Sequence, residues 1–114
     1  MAVRYNAAGE MVAEMILCQG RHECPCKDDG IFENEVAPMA FPKLELEAIN
    51  KLKPLKLQGL KRLVIYTTGC TTALIAAINA ATKLHIRDVI LMHYDPRNEG
   101  YQEQRVATFA DVYL

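Results

Sequence analysis

A hydrophobic run, Leu63-Val64-Ile65, passes through Tyr66-Thr67-Thr68-Gly69-Cys70-Thr71-Thr72 straight into a stretch rich in alanine. That order reads as a strand, a tight Thr/Gly turn and a helix. A helix opening directly out of a turn leaves its first backbone N–H groups without intrahelical partners. Those donors, with the positive end of the helix dipole, form a place for an anion. Gly69 lets the backbone approach a ligand closely, and four threonine hydroxyls surround it. The chemistry indicated is a phosphate- or carboxylate-bearing ligand. Threonine also caps helices, so Thr71 or Thr72 has that plainer role available.

The rest of the chain supplies partners for this unit. Val12–Leu17 reads as a strand buried on both faces, because Met15-Ile16-Leu17 is continuously apolar. A long polar segment follows, Arg21–Pro38, punctuated by Pro25, Asp28-Asp29-Gly30 and Pro38, with Ile31-Phe32 packing it down locally. Pro42 suits a helix first turn, and the spacing of Phe41, Leu44, Ala48 and Leu52 predicts a helix from Pro42 to about Leu52, limited by Pro54. Strand Arg62–Tyr66 leads to a helix over Thr71–Leu84 that has Leu74, Ala77, Ile78 and Ala81 on one face. Ala73, Ala76 and Ala80 keep the neighbouring surface thin. A strand over Asp88–His93, a turn-rich stretch over Tyr94–Tyr101 and a strand over Gln102–Phe109 complete a closing hairpin. The expected fold is α/β: one small Rossmann-like sandwich over residues 1–114, β-α-β-α-β-β. It has a mainly parallel sheet of about four strands, the last antiparallel, and a long loop at 21–40.

Composition narrows the function classes. The chain has 114 residues, 51% of them apolar, and a formal net charge of −1. That balance argues against bulk nucleic-acid binding through phosphates. No apolar run approaches the ~20 residues that span a bilayer, and the N-terminus lacks a signal-peptide pattern, so a cytoplasmic protein with reduced thiols is expected. The turn lacks both the lysine and spacing of a Walker loop and the three glycines of a dinucleotide fingerprint, which argues against an ATPase or NAD enzyme of the usual kind.

In an open α/β sheet, ligands lie beyond the carboxyl ends of the strands. Three segments are expected to meet there: Gln19-Gly20-Arg21-His22, Thr67–Thr72 and His93-Tyr94-Asp95. Arg21 offers a fork for a phosphate, and His22 or His93 could transfer a proton, which makes these three the catalytic candidates. Gly20, Arg21, Thr67, Thr68, Gly69, Thr71, Thr72 and Asp95 are the candidate ligand-binding residues. His93 also reads as an ordinary strand-end residue, and His85 as a C-terminal dipole partner. Cys70, at a helix start, has the position of a reactive thiol without an evident base. Cys18, His22, Cys24 and Cys26 are zinc-type ligands, though nine residues must then fold tightly around the ion. Cys24 and Cys26 stand too close in sequence for an easy mutual bridge.

The segment Thr67-Thr68-Gly69-Cys70-Thr71-Thr72-Ala73-Leu74 resembles the strand–turn–helix of CRISPR-associated Rossmann-fold (CARF) domains, which bind cyclic oligoadenylates as homodimers. Small relatives of these, the ring nucleases, cleave the same ligands. The resemblance covers about 15 residues, and Thr72 and Ala73 stand where a basic residue often follows the turn. It implies a homodimer in which Thr67, Thr68, Gly69 and Thr71 line a cyclic-oligonucleotide site, with Arg21 and His22 as catalytic candidates by position. The leading expectation is a binder of a nucleotide or other phosphorylated small molecule. The alternatives are a protein-interaction module using the 21–38 loop and the 94–101 hairpin, and a zinc protein.

Overall fold

The computed structural model describes residues 3–19, 24, 26, 29–33 and 35–107. Along these run β1 (Val3–Tyr5), β2 (Met11–Cys18), β3 (Gly30–Phe32), α1 (Phe41–Leu57), β4 (Leu60–Tyr66), α2 (Thr71–Lys83), β5 (Asp88–Asp95) and β6 (Gly100–Ala107). The protein is an α/β fold with one six-stranded sheet. The expectation of about four strands is corrected: β1 and β3 are additional, each only three residues long.

Their role follows from β2, which is apolar on both faces. A buried strand must find partners for the hydrogen-bonding groups along both edges. β4 runs parallel along one edge, with Ala13 opposite Leu63 and Ile16 opposite Tyr66. The other edge is shared. β1 lies antiparallel along its first part, Val3 opposite Ala13, and β3 lies parallel along its last part, Cys18 opposite Phe32. Gly30 makes the second pairing possible, since a Cβ there would meet Gln19 Cβ at 2.6 Å and the Phe32 carbonyl oxygen at 2.8 Å. β5 continues the parallel set beyond β4, and β6 returns antiparallel, with Asp95 opposite Gly100.

Both helices cover one face of the sheet. Leu44, Ala48, Leu52 and Leu55 of α1 and Ala73, Ala77, Ala80 and Ala81 of α2 share a core with Met15, Leu17, Leu63, Ile65, Val89 and Leu91. On α2 the alanines are the buried residues, while Leu74 and Ile78 are only partly buried. Small side chains let this helix lie close to the sheet, which places the larger ones at its margins. The opposite face carries a smaller apolar cluster, Val12, Val64 and Ile90, with Tyr66 and Met92 against it. Arg62 and Arg105 both pair with Asp88 on that side.

Two element boundaries differ from expectation. α1 runs through Pro54 to Leu57 rather than ending near Leu52. Pro54 is exposed, so the carbonyl it leaves without an intrahelical donor is on the solvent side, while Leu52 and Leu55 on either side are buried and hold the helix on course. At the far end of α2, His85 adopts φ 59°. Its N–H donates to the Thr82 carbonyl and the Ile86 N–H to the Ala81 carbonyl, with Ile86 buried beneath. This is a Schellman cap with histidine in the left-handed position that glycine favours.

Candidate functional site

The chain order reverses at β2. From β2 it steps to β3 on one side, then passes back through α1 to β4 on the other, and continues in that direction to β5. In open α/β sheets, a reversal of this kind opens a crevice at the carboxyl ends of the two strands that flank it. A cleft of about 670 Å³ lies at that place, between the ends of β2 and β4. Its walls are Cys18 and Gln19 at the end of β2, Gly69–Thr72 at the start of α2, and Glu33, Glu35, Val36 and Pro38 from the segment after β3.

Among the described residues, the donors of the α2 wall are unpaired. The intrahelical ladder begins with the Leu74 N–H donating to the Cys70 carbonyl at 3.1 Å, and no side chain caps the helix. Among the described residues, no acceptor faces the Thr71 or Thr72 N–H. Gly69 and Thr71 are exposed, so the corner is open to solvent. The opposite wall has the other sign. Glu33 is ion-paired with Lys51, whose hydrogen bond and charge hold its carboxyl below the usual carboxylate range. Glu35 is exposed, with no hydrogen-bond partner among the described residues. None of the described lining residues is cationic.

The expected convergence is therefore partial. Gln19 and Gly69–Thr72 meet in the cleft, whereas the end of β5 does not line it. The Thr67 hydroxyl donates to the Met92 carbonyl at 3.2 Å and lies 3.2 Å from His93 Nδ1. His93 Nε2 is 2.8 Å from Gln104 Oε1. The histidine thereby bridges Thr67 to β6. Asp95 accepts from the Arg97 N–H at 3.0 Å and the Asn98 amide at 2.7 Å, which shapes the β5–β6 turn. Thr68 has its Oγ1 in a solvent-free spot with no partner among the described residues. Gly20, Arg21 and His22 lie outside the described residues.

Sequence reasoning missed Glu33, Glu35, Val36 and Pro38, because only the pairing of β3 brings them to the end of β2. It also missed a neighbouring groove of about 480 Å³ that shares Thr72 with the cleft and is floored by Phe41, Pro42, Ile75 and Ala76. Phe41, expected on the buried face of α1, is 55% exposed and Ile75 is 53% exposed. Of the proposed zinc ligands, Cys18 packs in the core beside Ile31 and Phe32, and Cys24 touches Cys26 at 3.6 Å. Among the described residues, no three His, Cys, Asp or Glu side chains group to hold a metal ion.

Comparison with protein-family models, with curated proteins and with solved structures finds no match for this chain. No described helix is long and apolar enough to cross a membrane.

The Thr68 hydroxyl gives a direct check on the site. A buried hydroxyl without a partner costs about 1–3 kcal/mol, so the isosteric Thr68→Val is expected to leave stability unchanged or raise it by about 1 kcal/mol in denaturant titrations. A clear destabilisation would reveal a partner for Oγ1.

Proposed function

We propose that the protein binds a nucleotide or closely related phosphorylated small molecule, with its anionic group at the start of α2. The observation that carries this reading is the uncapped amide end of a 13-residue helix standing open in a cleft at a strand-order reversal. The reading extends to a Rossmann-like arrangement and cytoplasmic action. By resemblance to CARF domains, it also extends to a homodimer that takes a cyclic oligonucleotide. The proposal is for binding. A ring-nuclease step is not included, because the residues the resemblance implies for it, Arg21 and His22, lie outside the described residues.

The two walls favour a ligand with mixed chemistry. Amide donors suit a phosphate, and the Glu35 carboxylate suits a group that donates hydrogen bonds, such as a sugar hydroxyl. The apolar groove beyond Thr72 suits a planar base, with Phe41 as the stacking surface. A bare inorganic anion would use only the first of these features and meet the carboxylates of the second.

Thermal unfolding with a panel of mono-, di- and cyclic oligonucleotides tests the reading. A ligand present at 100 times its Kd adds about 2.7 kcal/mol of stability, a shift of several degrees or more for a domain of this size. No shift with any of them at millimolar concentration would sink the proposal. Gly69→Val separates binding from folding, because a Cβ at Gly69 meets nothing within 4 Å in the protein itself. The variant is expected to melt close to wild type and to bind its nucleotide at least about tenfold more weakly, or about 1.4 kcal/mol. Unchanged affinity would place the ligand elsewhere.

A further inference from the structure

Cys24 and Cys26 take no part in the cleft, yet their sulfurs lie 3.6 Å apart. A disulfide needs about 2.05 Å between sulfurs, so roughly 1.5 Å of side-chain movement separates this contact from a bond. The two thiols are unequally placed. Cys26 is 1% exposed, whereas Cys24 is partly accessible. Both stand near the helix-free face and near Tyr66 and Tyr101, whose phenols are pushed upward first by burial and then by neighbouring groups that include these two cysteines. The turn that carries them is anchored to the sheet: the Asp29 N–H donates to the Cys26 carbonyl at 2.9 Å, and the Ile16 N–H to the Asp29 carbonyl at 3.0 Å.

We propose that Cys24 and Cys26 are a redox-active dithiol that exchanges with small disulfides of the glutathione type. Cys24 is the attacking thiol, since a reagent in solvent reaches it. Its thiolate attacks one sulfur of the small disulfide. That S–S bond breaks, a mixed disulfide forms on Cys24, and the first small thiol leaves and takes up a proton. Cys26 then attacks the Cys24 sulfur, which needs no solvent access because the target is its immediate neighbour. The mixed disulfide breaks, the Cys24–Cys26 bond forms, and the second small thiol departs with the proton that Cys26 gives up. Two cysteine thiols are oxidised and one small disulfide is reduced to two thiols. Burial, and the Cys24 thiol beside it, hold Cys26 far above the ordinary thiol range, so at rest it stays protonated and Cys24 makes the first attack. Closure across a single intervening residue makes a small, strained ring. Such bridges are readily reduced again, so the exchange is reversible. The same turn leads into β3 and then to Glu33 and Glu35, so the dithiol sits upstream of one wall of the cleft.

Equilibration of the whole protein in glutathione buffers of stepped ratio, followed by alkylation and mass spectrometry, tests this. The expected product has two blocked sulfurs, is two hydrogens lighter, and maps to a Cys24–Cys26 link. Cys26→Ser is expected to accumulate glutathione on Cys24, and Cys24→Ser to take up none at residue 26. Four alkylated thiols at every ratio would overturn the proposal. So would a link through Cys18 or Cys70, a wild type that stalls with glutathione attached, or a Cys24→Ser variant that takes up glutathione at Cys26. The wild-type map decides the matter even if a variant fails to fold, and melting curves of both variants show whether that has happened.

Discussion

Everything in this fold depends on how the buried strand β2 completes its hydrogen bonding. Seven of its eight residues are buried, so neither edge can rely on water to pair its amides and carbonyls. One edge is satisfied by β4. The other would need a long partner, and the chain supplies two short ones instead, β1 along the first part and β3 along the last. β3 brings residues 33–38 to the carboxyl end of β2 and makes them a wall. The cleft is a by-product of an edge that had to be filled.

The same requirement sets the layering. β2 to β4 and β4 to β5 step in one direction, so α1 and α2 fall on the same face and share a core. The other face carries the smaller buried cluster of Val12, Val64 and Ile90. Arg62 and Arg105 on Asp88 stand on that face, and Tyr101 meets the Tyr66 ring edge-on at 4.9 Å. Cys24 and Cys26 also lie near this less crowded side. Two chemistries are therefore separated in space: amide donors and carboxylates at the strand ends, and paired thiols beside the tyrosines.

Much of the secondary structure was legible from residue pattern. The strand–turn–helix around Gly69 is where the residue order places it, because an apolar β-type run, a Thr/Gly turn and an alanine stretch all agree locally. The hairpin of β5 and β6 was legible for a similar reason, with Asp95, Asn98 and Gly100 marking its turn. Pro54 misled, because a proline's cost depends on whether the orphaned carbonyl is buried, and here it is on the solvent side. The spacing of Cys24 and Cys26 argued against an easy mutual bridge, and both are free thiols, their sulfurs 3.6 Å apart in a turn that is tied to β2 through Asp29. The histidines divided by position: His93 bridges Thr67 and Gln104, and His85 holds a left-handed cap, roles set by neighbours distant in sequence.

By itself, the order of residues determined that a helix would open beside Gly69 with its first donors unpaired, since that follows from local propensity and the geometry of any helix end. It determined equally that β2 would be buried, since no polar face is available along it. Only the tertiary structure decided what stands opposite those donors. Glu33 and Glu35 reach the cleft through a three-residue pairing that Gly30 alone permits, and Phe41 is left exposed because α1 turns Leu44, Ala48, Leu52 and Leu55 to the sheet. Such contacts depend on which surfaces are left over after the core has packed, and no local pattern records them.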